Sequence, residues 1–443
     1  MLHRKQTAHL HLNNNVFASS DLTACMPKYR LPQTAHDPRE VYALLSNELL
    51  LDGNARQNLA TFCSTWEEPE VHRLMDNSLG KNMIDKDEYP QTTAFEERVV
   101  HMLADLWHSP QAAQTIGTST TGSSEAAMLG GLAMKWRWRQ ALLSQHKTPG
   151  IPNLVTGPVQ VCWEKFARYF DVELRQVPLN PGQYVMNPED AAAACDDNTI
   201  GVVATLGTTF TGHYEPVAAL SQTLDALQKT TGRDIPIHVD AASGGFFAPF
   251  VDPDILWDFQ LPRVRSINAS GHKFGLAPLG VGWIIWREQQ DLPEELIFNV
   301  NYLGGEMPTF ALNFSRPGGQ VIAQYYNLLR LGRDGYTAIA QDNRATAAFL
   351  TEKIRQKSDL FTIVHSGHDE LPIVTWTFNP HSRPGFTLFD LSHELRTRGW
   401  QVPAYTLVPH LEHLAVLRIV VRRGFTRDMA ELLWQDLSEI IEK

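Results

Sequence analysis

The stretch Ser270-Gly271-His272-Lys273-Phe274-Gly275 sets a lysine among small residues and a histidine. Upstream, His238-Val239-Asp240-Ala241-Ala242 closes an apolar run on an aspartate. A lysine amine in such a setting can hold an aldehyde covalently. A strand-end carboxylate can keep a ring nitrogen protonated, which lets an aromatic ring act as an electron sink. Taken alone, Lys273 reads more readily as a surface lysine in a polar turn and Asp240 as a helix cap, because short motifs often match by accident. Two further features reverse that balance.

The first is Gly117-Thr118-Ser119-Thr120-Thr121-Gly122-Ser123-Ser124-Glu125, which runs into the Ala/Leu/Met-rich segment 126–133. Small hydroxyl residues opening such a segment predict a loop feeding a helix N-terminus, where free N–H groups and the positive dipole end can hold phosphate. Ser123 and Ser124 can add hydroxyl donors, and Glu125 falls in the first turn, where a carboxylate is favourable. An ordinary capped helix would show the same residues. The segment is not a P-loop, since no Gly-Lys-Ser/Thr follows, and it lacks the Gly-x-Gly-x-x-Gly spacing of a dinucleotide site. The second feature is order: phosphate loop, strand-end aspartate, then lysine. In an open α/β sheet ligand groups gather at the carboxyl ends of strands, so the three segments can converge on one crevice. Together they suit a pyridoxal 5'-phosphate (PLP) site.

With these residues in view, the chain resembles the bacterial and plant-type glutamate decarboxylases of the PLP-dependent group II decarboxylase family. The resemblance runs from about Leu51 to the end. It is carried by the blocks Leu51 to Phe62, Ile84 to Pro90, Gly122 to Glu125, His238 to Gly245 and Ser270 to Gly280. Tyr302-Leu303-Gly304-Gly305, Asn313 to Pro317 and Arg418 to Phe425 complete the set. It implies an α/β, fold-type I (aspartate aminotransferase-like) architecture, with a large mostly parallel sheet domain and a smaller C-terminal α/β domain. It also implies decarboxylation of L-glutamate to 4-aminobutanoate and carbon dioxide, consuming one proton.

Composition agrees. A chain of 443 residues with 43% hydrophobic content can build a large core and more than one domain. The formal charge of -11 argues against a nucleic-acid partner. It also repels an anionic substrate at long range, so a glutamate site must supply local donors. Cys25, Cys63, Cys162 and Cys195 lack short paired spacing, which fits a reducing cytoplasm and predicts neither disulfides nor a metal site. No apolar run approaches a membrane span, and the N-terminus has no signal-peptide core.

Residues 1 to about 35, with His3, His9 and His11, read as an arm. Residues 39–51 predict a helix with Val41, Leu44, Leu45 and Leu49 on one face. Two helical patterns flank the phosphate loop between about 94 and 142. The run 200–206 reads as a buried parallel strand, followed by a helix through 225–227 and strands at 235–240 and 264–268. Helical patterns at 318–332 and 337–356 lead into strand 373–378, helix 387–399, strand 414–421 and helix 426–442. The domains are then 1–56 (arm and helix), 57–342 (large, PLP-binding) and 343–443 (small, C-terminal).

The resemblance assigns roles residue by residue. Lys273 carries the cofactor aldehyde, and Asp240 pairs with the ring nitrogen. Ser123, Ser124 and His272 match phosphate ligands, with Ser270 beside them in the lysine block. Ser315 completes the phosphate cup from a neighbouring subunit. Gln160 covers one ring face, although a capping amide would read the same; Ala242 packs on the other face, and Thr209 lies near the ring hydroxyl. Thr61 and Asn82 match the pocket for the distal carboxylate, with Phe62 offering a backbone N–H and Asp85 placed across the subunit boundary. Arg418 matches the α-carboxylate arginine, and Arg422 and Arg423 compete for that role. Tyr302 sits on what resembles a mobile catalytic loop.

These roles imply a homodimer, or a hexamer built as a trimer of dimers, with each site shared between chains. The sequence ends at Lys443 directly after its last helical pattern. Neither a plugging tail nor a calmodulin-binding extension is expected, and activity should fall off gently toward neutral pH. Three alternatives stand beside this reading. A decarboxylase for another amino acid is disfavoured by the blocks 58–62 and 84–90, and an aminotransferase by the Ser-Gly-His-Lys setting. A non-catalytic scaffold is disfavoured by the intact Lys273, Asp240 and His272.

Overall fold

The computed structural model describes residues 28–303 and 307–442. Most of the predicted arm therefore lies outside the described residues. The chain divides into two compact units, Met1–Asn54 and Ala55–Lys443. In the first, the helix Pro38–Leu49 is capped by Asp37, whose carboxylate accepts the Arg39 N–H, with Pro38 opening the first turn. None of its side chains is buried.

The second unit is built on seven strands: β1 (Ile116–Thr120), β2 (Asn153–Thr156), β3 (Glu173–Gln176), β4 (Thr199–Thr205), β5 (Ile237–Asp240), β6 (Val264–Ser270) and β7 (Gly282–Trp286). They lie in the order β1-β7-β6-β5-β4-β2-β3. The pairs β2–β3, β2–β4, β4–β5 and β5–β6 are parallel. Every residue of β4 is buried, as its unbroken apolar run predicts for a strand covered on both faces. β7 departs from the parallel pattern, running antiparallel to both β6 and β1. The short connection from Ser270 to Gly282 explains this, since a parallel return needs a crossover of a dozen residues or more. That connection carries Lys273.

Register brings the site together. Thr205 pairs with Asp240, Asp240 with Asn268, and Gly282 with both Ser270 and Thr120. The carboxyl ends of β1, β4, β5 and β6 therefore share one edge of the sheet.

β8 (Phe298–Val300) and β9 (Met307–Thr309) form a separate antiparallel pair. The helix Gly319–Arg355 contains one break, at Gly332 (φ 57°, ψ -169°), a conformation natural to glycine. The break falls on the last residue of the first predicted pattern, 318–332, and residues 333–336 between the two patterns are helical. Beyond it stands a four-stranded antiparallel sheet: β10 (Phe361–His365), β11 (Ile373–Phe378), β12 (Ala404–Thr406) and β13 (Ala415–Val420), ordered β10-β11-β13-β12. The helices Leu388–Thr397 and Arg427–Ile441 pack with it around buried Trp376, Leu391, Leu417 and Leu433. Strands β4, β5, β6, β11 and β13 match predicted ones; β1, β2, β3, β7, β8, β9, β10 and β12 have no predicted counterpart, and β8, β9 and β12 have only three residues each. Among the described residues, no helix is long and apolar enough to cross a membrane.

Candidate active site

At the shared sheet edge lies a cavity of about 490 Å³. Of the residues singled out in the sequence, Thr61, Phe62, Ser123, Ser124, Gln160, Thr209, Asp240, Ala242, Ser270, His272, Lys273 and Arg418 line it. At one end, the helix Ser123–Ser144 begins at Gly122, so its first N–H groups and both serine hydroxyls open on the cavity. Gly282 makes this possible: a Cβ there would lie 2.4 Å from Gly122 C and 2.6 Å from Ser123 N. His272 stands beside the helix end. Its Nδ1 accepts the Val281 N–H at 3.3 Å, so the proton of the neutral ring sits on Nε2. Burial, followed by the Lys273 charge, pushes His272 down to about 4, so the ring is neutral at ordinary pH. The Ser270 hydroxyl is buried without a partner among the described residues. Serine hydroxyls, helix N–H groups and an imidazole N–H make a donor set suited to a phosphate.

Asp240 is 4% exposed and holds three hydrogen bonds. Its Oδ2 accepts from Trp163 Nε1 at 2.8 Å, and its Oδ1 from Asn268 Nδ2 at 3.0 Å and Ala242 N–H at 3.1 Å. A carboxylate offers about four acceptor sites, so capacity for one further donor remains. Lys273 Nζ lies 3.2 Å from Ser243 Oγ and 4.9 Å from the centre of the Phe62 ring. Burial lowers the Lys273 pKa, while the Asp240 charge opposes that shift. The shift is toward the neutral amine that nucleophilic attack requires.

Arg418 reaches the same ring from β13, its guanidinium 4.8 Å from the Phe62 centre and 5.6 Å from that of Tyr405. Its terminal nitrogens donate to the backbone carbonyls of Ala60, at 2.6 Å, and Thr209, not to a carboxylate. Its Nε is buried without a partner among the described residues, and burial lowers its pKa. The competing arginines are used elsewhere. Arg422 ties down the Ala55, Asn58 and Cys63 carbonyls, and Arg423 pairs with Glu68 and stacks on Trp66.

Residues 32–379 match the Pyridoxal-dependent decarboxylase conserved domain. The chain belongs to this family. It is 58% identical to a glutamate decarboxylase of Aliivibrio fischeri, over all of this chain and 95% of that protein. It is 49% identical to one from Solanum lycopersicum, over 96% of this chain and 85% of that protein. Among solved structures, a Lactobacillus brevis glutamate decarboxylase superposes with a TM-score of 0.92 at 45% identity, covering 96% of this chain and 97% of that one. A Burkholderia pseudomallei sphingosine-1-phosphate lyase, at 22% identity and a TM-score of 0.78, shares the fold. The cofactor of this pyridoxal-dependent decarboxylase is PLP, and the partnerless Ser270 hydroxyl, the helix N-terminus and the free capacity of Asp240 fit it.

Four residues singled out in the sequence do not line this decarboxylase cavity within one chain. Asn82 and Ser315 face each other, Nδ2 to Oγ at 3.4 Å, and Asn82 Oδ1 accepts the Arg316 N–H at 3.1 Å. The Asp85 N–H bonds back to Asn82 C=O. Tyr302 is 72% exposed and stacks on Phe314. Gln160 does cap the helix Val161–Tyr169, accepting the Cys162 N–H at 2.6 Å, while also facing the cavity.

Sequence reasoning missed Trp163, Ser243 and Asn268. Asn268 Nδ2 reaches Ser123 Oγ at 2.6 Å as well as Asp240, which joins the two ends of the site. Its Oδ1 is 2.7 Å from His238 Nε2, and His238 Nδ1 is 2.7 Å from Ser266 Oγ. The alternation of Ser266, Asn268 and Ser270 along a buried strand was a usable signal, because every second residue shares a face. Trp163 offered no comparable pattern.

Proposed function

We propose that this chain is a PLP-dependent decarboxylase of L-glutamate, releasing 4-aminobutanoate and carbon dioxide and taking up one proton. One observation carries the reading: a buried guanidinium without a carboxylate partner, Arg418, shares the Phe62 ring with Lys273 inside the cavity that also holds Asp240. The relatives at 58% and 49% identity are named for the same substrate.

When bound, PLP supplies an aldehyde that captures an amine and a ring that accepts the electron pair left when carbon dioxide departs. Ser123, Ser124, Ser270 and His272 hold the phosphate. Asp240, fixed by Trp163, Asn268 and Ala242, keeps its remaining lone pair for the ring nitrogen. Lys273, whose pKa burial lowers, would hold the aldehyde through Nζ and move a proton at that atom. Arg418 orients the α-carboxylate end of glutamate with its planar fork. Thr61 and Phe62 address the distal carboxylate. The Thr61–Ser64 segment is held there by the Ser64 N–H, which donates to His272 C=O at 3.0 Å.

Asn82, Asp85, Tyr302 and Ser315 serve the cavity of a second copy in this reading. The assembly is then a homodimer, or a trimer of such dimers, in the cytoplasm. The three described cysteines are unpaired, which suits that compartment.

The test is to incubate PLP-loaded protein with glutamate at mildly acid pH and measure 4-aminobutanoate by mass spectrometry. Aspartate, histidine and aromatic amino acids are run in parallel. Product from glutamate alone is expected, and faster turnover of any of the others would overturn the substrate assignment. For the shared site, Asp85→Asn and Lys273→Ala are each expected to be inactive. Mixed dimers of the two should regain activity, and inactive mixed dimers would count against sharing.

A further inference from the structure

A second group of chemistry-bearing side chains lies where the segment after β4 meets the β10–β11 hairpin. One donor atom each from His213, His365 and Glu370 lies within 4.8 Å of the other two. His365 is buried, and its Nδ1 is 2.7 Å from Ile373 C=O. A carbonyl only accepts, so Nδ1 carries the proton, and the Gly367 N–H at 3.2 Å is the weaker claimant on that nitrogen. A neutral His365 therefore turns its bare Nε2 toward Glu370 Oε2, 3.0 Å away. Two acceptors at that distance need a cation between them.

A proton would satisfy that pair, but it leaves the third donor unexplained. His213 stands edge-on to His365, with ring centroids 4.6 Å apart. Its Nδ1 is 2.8 Å from Thr211 Oγ1, which is 2.9 Å from Thr208 Oγ1. Glu370 Oε1 accepts the Tyr214 N–H at 3.0 Å, and Arg344 grips the Glu370 carbonyl while pairing with Asp252 at 2.5 Å. Each of the three residues thus has a polar group fixed by a neighbour. Such outer contacts orient metal-binding imidazoles and carboxylates.

We propose that His213, His365 and Glu370 bind one zinc ion, with a water completing the tetrahedron. Two imidazoles and one carboxylate suit zinc, whereas calcium and magnesium want six or more oxygens. Zinc–nitrogen bonds of about 2.0–2.1 Å set ligand atoms roughly 3.4 Å apart, so the widest separation here, at most 4.8 Å, must close by no more than about 1.4 Å. The ion would pin the 208–214 segment, which carries Thr209 on the cavity wall, to the hairpin of the C-terminal sheet. Sequence spacing hid this set, because His213 follows β4 while His365 ends β10 and Glu370 lies in the β10–β11 connection, far along the chain. The proposal is independent of the substrate assignment.

PLP-loaded protein is stripped of metal with a chelator, dialysed against zinc chloride and analysed for bound zinc. One equivalent per chain is expected. Outer contacts alone change affinity about 10–100-fold, so loss of a ligand should weaken binding at least roughly 100-fold in both His213→Ala and Glu370→Gln. Cobalt in place of zinc should give four-coordinate visible bands in the wild type that both variants lack. Circular dichroism and PLP absorbance establish that the variants are folded; Glu370→Gln retains an oxygen for the Tyr214 N–H. Absence of stoichiometric zinc in the wild type overturns the proposal, as does an equivalent that survives either substitution. A cobalt–thiolate charge-transfer band in the wild type, which needs no variant, would place the metal on a cysteine and overturn it too.

Discussion

Replacing Asp240 with asparagine separates the structural role of this carboxylate from its chemical one. The side chain keeps its shape but exchanges one acceptor oxygen for a donor NH2. Placed at the Oδ2 position, the NH2 faces Trp163 Nε1–H across 2.8 Å; placed at Oδ1, it faces the Ala242 N–H across 3.1 Å. Rotation of Asn268 can relieve its own contact but neither of these two. At least one buried N–H is left against a donor, at about 1–3 kcal/mol. The thermal midpoint of the cofactor-free protein should therefore fall. The variant also loses a charge-assisted hydrogen bond to the ring nitrogen, worth about 1.5–3 kcal/mol. At about 1.36 kcal/mol per decade, kcat/KM for glutamate should drop roughly 10–150-fold at saturating PLP. Scanning calorimetry of the cofactor-free protein and steady-state assays read the two effects separately. An unchanged midpoint would refute the three-donor geometry. A kcat/KM within threefold of wild type would refute the pairing with the ring.

Three other outcomes are expected. Gly282→Ala drives a methyl against Gly122 and Ser123, so PLP affinity measured by absorbance should fall, with about 1–3 kcal/mol of overpacking cost; unchanged affinity would mean the loop does not form the phosphate seat. Arg418→Lys gives up the planar fork, and kcat/KM should fall about 10–100-fold, while a change under threefold would leave the guanidinium without a role in binding. Glu67, whose Oε2 is buried without a partner, is pushed up from 4.5 to about 7 by burial, against the pull of Arg423. Between those pH values the folded chain keeps a proton that the unfolded chain has lost. The stabilisation is complete below about 4.5 and is lost as pH rises to about 7. Melting curves of wild type should thus decline relative to Glu67→Gln across that window, and parallel curves would contradict the raised pKa.

The order of chemical segments in the sequence carried the fold class. The Gly122-Ser123-Ser124 loop, the strand-end Asp240 and the Lys273 block are local features, each dictated by neighbouring residues, and an open sheet has one edge where they can meet. The same locality made the C-terminal helices and the strands β11 and β13 readable, but not β10 or β12. Contacts between distant segments were not readable. The choice of Arg418 over Arg422 and Arg423 depends on which strand residue faces Phe62, a matter of how β13 packs beside the segment 58–63. The hold of Trp163 and Asn268 on Asp240 comes from a helix and a strand that are joined only through packing. Likewise, β7 turned antiparallel because the lysine loop is too short for a crossover. Asn82, Asp85, Tyr302 and Ser315 were singled out by resemblance, yet one chain leaves them outside the cavity. Sequence alone determined most of the chemical groups the site contains, though not Trp163, Ser243 or Asn268, because residue type and local pattern are written in the chain. Tertiary structure decided which of them meet and what holds them there, because those distances depend on burial and register between segments hundreds of residues apart.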